Sequence, residues 1–452
     1  MSSLPSTLAV APVLPPDLLA QLYQQYQAAG RLVSTDSRTV PAGALFFALN
    51  GARRGAEFAV GALAAGAAHA VVDDAAVAAT DPARYTLAPD PLAALQALAR
   101  HHRRQFNGPV IALTGSNGKT TTKELLAGVL ARRYRTLATT GNFNNHIGVP
   151  LTLLRLDVAA DEVAVIEMGA NHPREIAELA ALAEPTHGLI TNVGKAHLEG
   201  FGGTQDHVAR AKSELFEYLE ATGGTAFVNT ADPRLAPWVT RLSGAVPYPT
   251  PARLLGADPF VTLALDADTE SFTTQISGAY NFENLAAAAT VGRFFGVSEF
   301  DIRAALAGYA PVNNRSQLAF HPATGNRLTL DAYNANPSSV AAAVCHFATL
   351  PATDEAGQPL PKLLILGDML ELGTESAAEH RALGEMLRGQ WFDTVLLVGP
   401  EMAAAAETCP AAQYFATKAE AAAWLVQHPP RSQRILLKGS REIGLETLVK
   451  LL

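Results

Sequence analysis

Short apolar runs recur along the chain, with helical patterns between them. Val110-Ile111-Ala112-Leu113, Val163-Ala164-Val165-Ile166 and Gly188-Leu189-Ile190-Thr191 are too short for buried helices, so they read as strands covered on both faces. After the first run, Leu125, Leu126, Val129 and Leu130 fall on one helical face. The rhythm returns at residues 328–330, 363–366, 395–398 and 435–437. Strands alternating with helices build parallel sheets, because a parallel pair needs a long crossover. The chain is therefore read as α/β, its last part Rossmann-like. No G-x-G-x-x-G follows any of these strands, so a dinucleotide is not signalled.

Residues 17–29 read as a helix after Pro15-Pro16, residues 44–49 as a short strand, and the Ala-rich runs 59–68 and 92–100 as helices. Asn107-Gly108-Pro109 is a turn signal, and a second boundary is placed at 311–316. The expected organisation is a small α/β domain over 1–106, a central parallel-sheet domain over 107–314 and a Rossmann-like domain over 315–452. At roughly 150 residues per domain, 452 residues accommodate three.

Composition narrows the class. With 48% hydrophobic and 17% charged residues the chain fills large cores and is not disordered. Its 34 Lys+Arg against 42 Asp+Glu leave a net charge of −8, which excludes the basic face of a nucleic-acid-coating or membrane-surface protein. Cys345 and Cys409 alone support neither a disulfide framework nor a zinc cluster, which fits a reducing compartment. Residues 1–16 hold no Lys or Arg, so the charged start of a secretory signal is missing, and the apolar stretch 58–72 is too short to span a bilayer. A cytoplasmic protein, most simply a monomer, with no membrane insertion is expected.

The strongest chemical signal is Thr114-Gly115-Ser116-Asn117-Gly118-Lys119-Thr120-Thr121, set between a buried strand and a helix. Glycines let the backbone curl so that N–H groups turn toward a phosphate, and the helix start adds positive potential. Lys119 is suited to neutralising β/γ-phosphate charge, and the Thr120 hydroxyl to ligating magnesium. The loop is a variant of G-x-x-x-x-G-K-[ST], since Leu113 stands where the first Gly belongs. ATP is the expected ligand.

Glu167 closes one strand and His197 follows the next, both at the strand ends where ligands of α/β sheets bind. A carboxylate and an imidazole beside a triphosphate point to a second divalent cation. In the helix around 209–219, Val208, Lys212, Leu215 and Leu219 share one face, which sets a lysine among apolar neighbours. A lysine buried there is paired, deprotonated or chemically altered, unless it snorkels to the surface.

The loop, the run Thr140-Gly141-Asn142-Phe143-Asn144-Asn145-His146-Ile147-Gly148 and Glu167-Met168-Gly169 resemble the Mur ligases, ATP-dependent amide ligases of peptidoglycan precursor synthesis. Lys195-Ala196-His197-Leu198-Glu199-Gly200-Phe201-Gly202, Asp331-Ala332-Tyr333-Asn334-Ala335-Asn336-Pro337 and Leu366-Gly367-Asp368-Met369-Leu370-Glu371-Leu372-Gly373 resemble one branch, the MurF family. The resemblance spans all three parts. It implies UDP-N-acetylmuramoyl-tripeptide and D-alanyl-D-alanine as substrates, with ATP and two magnesium ions.

By position it implies cation ligands at Thr120, Glu167 and His197, and a lysine carbamate at Lys212 as a further ligand. It sets Asn281 against adenine with Asn284 nearby, Arg315 at the γ-phosphate and Asp331 at the ribose. Tyr280 stands where the family more often shows His, and Asn314 where it usually shows Gly. Ser37 and Arg38, before Gly43-Ala44-Leu45-Phe46, resemble the uridine-diphosphate region that gives the N-terminal domain its expected role. Asn142, Asn144, Asn145, Tyr333 and Asn336 fall in the family motifs and are expected at substrate, as is Lys438 at the incoming dipeptide.

The resemblance implies two steps, formation of an acyl phosphate and attack on it by an amine, with Lys119, Glu167, His197, Lys212 and Arg315 as the catalytic set. The rivals are a sibling ligase adding one amino acid, a folate polyglutamate ligase, and a P-loop regulatory protein that signals by conformation.

Overall fold

The computed structural model describes residue 9 and residues 11–267, 270–311 and 314–452. The boundary expected at 311–316 includes residues 312 and 313, which lie outside the described residues.

The chain opens with the helix Pro16–Ala28 and a four-stranded parallel sheet, Val33–Ser34, Leu45–Phe47, His69–Val72 and Tyr85–Leu87, paired in chain order. The Ala-rich run 59–68 is helical only to Ala64. Gly66, at φ +114°, turns the chain into the strand His69–Val72, a bend that alanine content alone does not reveal. The run 92–100 is the core of the helix Pro91–Arg103, which Asp90 caps by accepting from the Leu92 and Ala93 N–H groups.

A six-stranded parallel sheet follows, in the spatial order Ala245–Tyr248, Thr225–Asn229, His187–Ile190, Val110–Thr114, Val163–Glu167 and Thr136–Ala138. Alternation along its central strands explains the continuous apolar runs. Val110, Ala112, Ala164 and Ile166 enter one core, while Ile111, Leu113, Val163 and Val165 enter the core on the other face. Because Val110–Thr114 lies between Val163–Glu167 and His187–Ile190, the segments that follow all three strands meet at one sheet edge. A three-stranded antiparallel sheet, Arg253–Gly256, Thr262–Ala264 and Phe272–Thr273, has no counterpart in the sequence reading; its strands are short and partly polar.

The last sheet runs Gln317–His321, Asn326–Asp331, Arg434–Lys438, Lys362–Gly367, Thr394–Val398 and Gln413–Phe415. It is parallel except for its first strand, which folds back antiparallel through a turn closed by Gly325. The remaining five strands form the Rossmann-like α/β sheet expected for this part.

The first and second sheets are bridged by helices that share one core: Tyr26, Leu95 and Leu98 pack with Leu153, Leu154 and Leu179. Tyr26 Oη donates to the Leu154 carbonyl at 2.6 Å, and Arg103 donates to the Ala183 and Glu184 carbonyls. The last sheet meets the central one through polar contacts instead. Asn336 Nδ2 donates to Asn117 Oδ1 at 2.7 Å, and Lys195 Nζ reaches Glu379 at 2.6 Å. Among the described residues, no helix is long and apolar enough to cross a membrane.

Candidate active site

The glycines of the loop are dictated by space. At Gly115, φ +144°, a Cβ would lie 2.0 Å from Thr191 Oγ1; at Gly118, φ +77°, it would lie 2.6 Å from the Asn284 side chain. Gly118 caps the helix Lys119–Leu130. Two loop N–H groups are already engaged, Ser116 with the Asn192 carbonyl and Asn117 with Asn192 Oδ1. The donors open to an anion are therefore those of the first helical turn, which have no acceptor inside the helix. Lys119 folds back over the loop, donating to the Gly115 carbonyl at 2.7 Å. Burial lowers its pKa, and Glu167 pulls in the opposite direction.

Glu167, only 1% exposed, sits beneath this loop. Its Oε1 accepts from Asn144 Nδ2 at 2.8 Å and from Thr120 Oγ1 at 3.3 Å. Lys123 Nζ stands 3.7 Å from its Oε2 and donates to the Gly141 carbonyl. Asn145 does not turn to Glu167: its side chain accepts from the Ile147 and Gly148 N–H groups at the start of the next helix. His197 occupies φ +53°, and its Nδ1 lies 2.5 Å from Glu371 Oε2, a pairing that holds the Glu371 carboxyl below its usual pKa.

A divalent cation fits these groups. Glu167 Oε2 is a buried carboxylate oxygen without a hydrogen-bond partner, and the His197 ring lines the same cavity. With the Thr120 hydroxyl, Glu167 offers the hard oxygen donors that magnesium prefers. Among the described residues no three His, Cys, Asp or Glu side chains form a cage, so phosphate oxygens and water must complete such a site.

Lys212 is fully buried, on the helix Gln205–Thr222 between Val208 and Leu215, as the periodicity predicts. Its Nζ donates to the Ala170 carbonyl at 3.2 Å and lies 5.4 Å from the centre of the Phe201 ring. Burial first, then the Lys119 charge, pushes its pKa down to about 7.

The other wall comes from the central helix Phe282–Phe294 and the last domain. Asn284 Nδ2 donates to Asn281 Oδ1, and its own Oδ1 accepts from Thr122. Arg315 stacks 3.6 Å above the Tyr333 ring. Asn314, in place of the family glycine, takes φ +56°, a conformation Asn tolerates better than most residues. Tyr280, in place of the family histidine, hydrogen-bonds Ser316 at 2.9 Å; burial raises its pKa and keeps it protonated. Lys438, 2% exposed, donates to Asp331 Oδ2 at 2.6 Å and to the Asn334 carbonyl.

These walls enclose a cavity of about 1140 Å³. Lys119, Thr120, Glu167, His197, Arg315 and Lys438 all line it, as do Asn142, Asn144, Asn145, Asn281, Asn284, Asp331, Tyr333 and Asn336. Its volume exceeds that of a typical single-ligand pocket, which leaves room for a nucleotide and a second substrate together. Four sequence-predicted residues do not line it. Gly115 is covered by Thr191, Lys212 lies behind Ala170, and Ser37 and Arg38 sit on a separate loop where Asp36 holds Arg38 in a bidentate pair. Sequence reasoning missed three residues at the site. Lys123 was detectable, four positions after Lys119 on one helix face. Asn192 and Glu371 join the site only through tertiary packing.

Comparison with known proteins agrees with this geometry. Residues 31–105 match the Mur ligase family catalytic domain, 113–292 the Mur ligase middle domain and 317–441 the Mur ligase glutamate ligase domain. The chain is 35% identical over 438 residues to the UDP-N-acetylmuramoyl-tripeptide–D-alanyl-D-alanine ligase of Escherichia coli (strain K12), covering 93% of each chain. It is 31% identical to the enzyme of the same name from Bacillus subtilis (strain 168), covering 92% of each. MurF from Acinetobacter baumannii superposes with a TM-score of 0.80 at 31% identity, covering 94% of this chain and 97% of that one. MurF ligase from Thermotoga maritima in complex with ADP gives 0.78 at 27% identity, with the same coverage.

Proposed function

Because the chain belongs to the Mur ligases, in the family of the UDP-N-acetylmuramoyl-tripeptide–D-alanyl-D-alanine ligases, we propose that it joins D-alanyl-D-alanine to UDP-N-acetylmuramoyl-tripeptide with conversion of ATP to ADP and phosphate. The observation that carries this reading is the single cavity in which the loop of the central domain meets Arg315, Asp331 and Lys438 of the last domain.

The ATP phosphates lie on the first turn of the helix Lys119–Leu130, with Lys119 released from the Gly115 carbonyl to face them. Asn281 and Asn284 present amide groups to the base, and Asp331 faces the ribose. Arg315, held flat on Tyr333, presents its guanidinium to the γ-phosphate. A carboxylate oxygen of the tripeptide attacks the γ-phosphorus in line and the bond to ADP breaks, giving an acyl phosphate. The dipeptide amine then attacks the acyl carbon, and the carbon–oxygen bond to phosphate breaks. Lys438, buried and fixed by Asp331, lies where the dipeptide carboxylate is held. Contacts such as Asn336 with Asn117 close the site and exclude water, which protects the acyl phosphate from hydrolysis.

Thr120, Glu167 and His197 would hold magnesium, two ions in all, which supplies charge neutralisation at the phosphates. Lys212 is suited to carbamylation, since an amine with a pKa near neutrality reacts with carbon dioxide in its free-base form. A carbamate resonance on adding 13C-bicarbonate, absent in Lys212→Met, tests this; no resonance refutes it. Ser37 and Arg38 take the uridine diphosphate end. A single chain supplies every residue named, so the reading needs no second copy, and its nucleotide substrates place it in the cytoplasm.

The test uses tripeptide nucleotide labelled with 18O in its terminal carboxylate. The reading predicts one labelled oxygen in each released phosphate, with product forming only when D-alanyl-D-alanine is present. Unlabelled phosphate would refute the acyl phosphate.

A further inference from the structure

Glu371 belongs to a motif to which no role has yet been given, and it crosses from the last domain to the central one. Its carboxylate Oε2 lies 2.5 Å from His197 Nδ1. Its backbone carbonyl accepts from the Glu199 N–H at 3.3 Å, which fixes the segment on both sides of the histidine. Both residues occupy left-handed backbone, Glu371 at φ +62° and His197 at φ +53°, so neither side chain reaches this meeting by default. Nδ1 is completely buried, while the side chain as a whole stays 18% exposed. The exposed part of the side chain therefore lies away from Nδ1, and His197 lines the cavity.

An imidazole offers a lone pair at one nitrogen only while the other carries the proton, and a carboxylate at the second nitrogen selects that tautomer and orients the ring. We propose that Glu371 is a positioning residue which holds the proton on His197 Nδ1 and so presents Nε2 to a divalent cation. Because Glu371 comes from the last domain, the cation site is complete only when that domain is closed. Closure and cation binding thus become linked, each favouring the other by the same free energy. The neighbouring pair, Lys195 with Glu379 at 2.6 Å, joins the same two domains without touching the imidazole. It provides the control that separates closure from positioning.

The inference rests on the reading of His197 as a cation ligand, and the experiment distinguishes the two. Mn2+ is titrated into the full chain with saturating ADP, and free Mn2+ is read by electron paramagnetic resonance. The wild type should bind a second ion that His197→Ala loses. If His197→Ala binds Mn2+ like the wild type, the ligand reading fails and this inference with it. Glu371→Ala should weaken the second ion by about 10–100-fold. Glu371→Gln, which keeps the shape and loses the charge, should weaken it in the same direction and serves alone if the alanine variant does not fold. Glu379→Gln, which loosens closure without touching the imidazole, should weaken it by less than either Glu371 variant. Wild-type Mn2+ affinity in both Glu371 variants, with His197→Ala impaired, overturns the role of Glu371 alone. Equal weakening in Glu379→Gln and Glu371→Ala overturns positioning in favour of simple domain closure.

Discussion

Lys212→Met should make the protein more stable at pH 6 and no more stable, or less, at pH 9.5. The wild-type ammonium is fully buried, and its pKa falls from 10.5 to about 7 in the folded chain. Below pH 7 both states carry the proton and the full penalty of burying the charge applies. Between 7 and 10.5 only the unfolded state holds it, so wild-type stability rises with pH. At about 1.4 kcal/mol per pKa unit, the penalty is about 5 kcal/mol at pH 6 and about 1 kcal/mol at pH 9.5. Methionine fills a similar volume without charge, but it leaves the Ala170 carbonyl without its partner, a loss of about 1–3 kcal/mol. The net gain is then roughly 2–4 kcal/mol at pH 6, disappearing by pH 9.5.

Urea unfolding in carbon dioxide-free buffer reads this directly. Trp238 is a suitable probe because it packs edge-on against Phe216, which lies on the same helix as Lys212. The same variant should lose ligase turnover. A Lys212→Met protein that is less stable than the wild type at pH 6, or a difference that does not change with pH, would refute the argument from charge burial.

Gly115→Ala should destabilise the central domain and abolish ADP binding, since its Cβ would sit 2.0 Å from Thr191 Oγ1 at φ +144°; wild-type affinity by calorimetry would contradict the loop geometry. Asn144→Ala removes the 2.8 Å hydrogen bond to Glu167 and should lower kcat by about 10–100-fold with little change in the urea midpoint. An unchanged kcat would show that Glu167 needs no such support. Tyr26→Phe leaves the Leu154 carbonyl unpaired between the first two domains and should reduce stability by about 1–3 kcal/mol. A change below that range in urea unfolding would mean that the interface is held by its apolar core alone.

Much of the central sheet was legible because its strands are buried on both faces, so Val110–Thr114 and Val163–Glu167 appear as unbroken apolar runs. The sheet Arg253–Gly256, Thr262–Ala264, Phe272–Thr273 was not legible, since Arg253–Gly256 is exposed throughout and Phe272–Thr273 has two residues. Gln317–His321 was hidden for a related reason: it is an edge strand whose residues are only partly buried. At the site, the loop and Lys212 could be read because their meaning lies in contiguous residues or in helical spacing. Asn192, which occupies two of the loop's N–H groups, and Glu371, which meets His197 across domains, carry no local signature. Their roles arise from which strand ends and which domains come together.

Phosphate release from ATP and magnesium, with the tripeptide nucleotide and D-alanyl-D-alanine left out in turn, tests the ligase reading most directly. The account predicts turnover only when both are present. Release indifferent to both would indicate a regulatory ATPase, and turnover with the nucleotide and a single amino acid would indicate a sibling ligase; either contradicts the account.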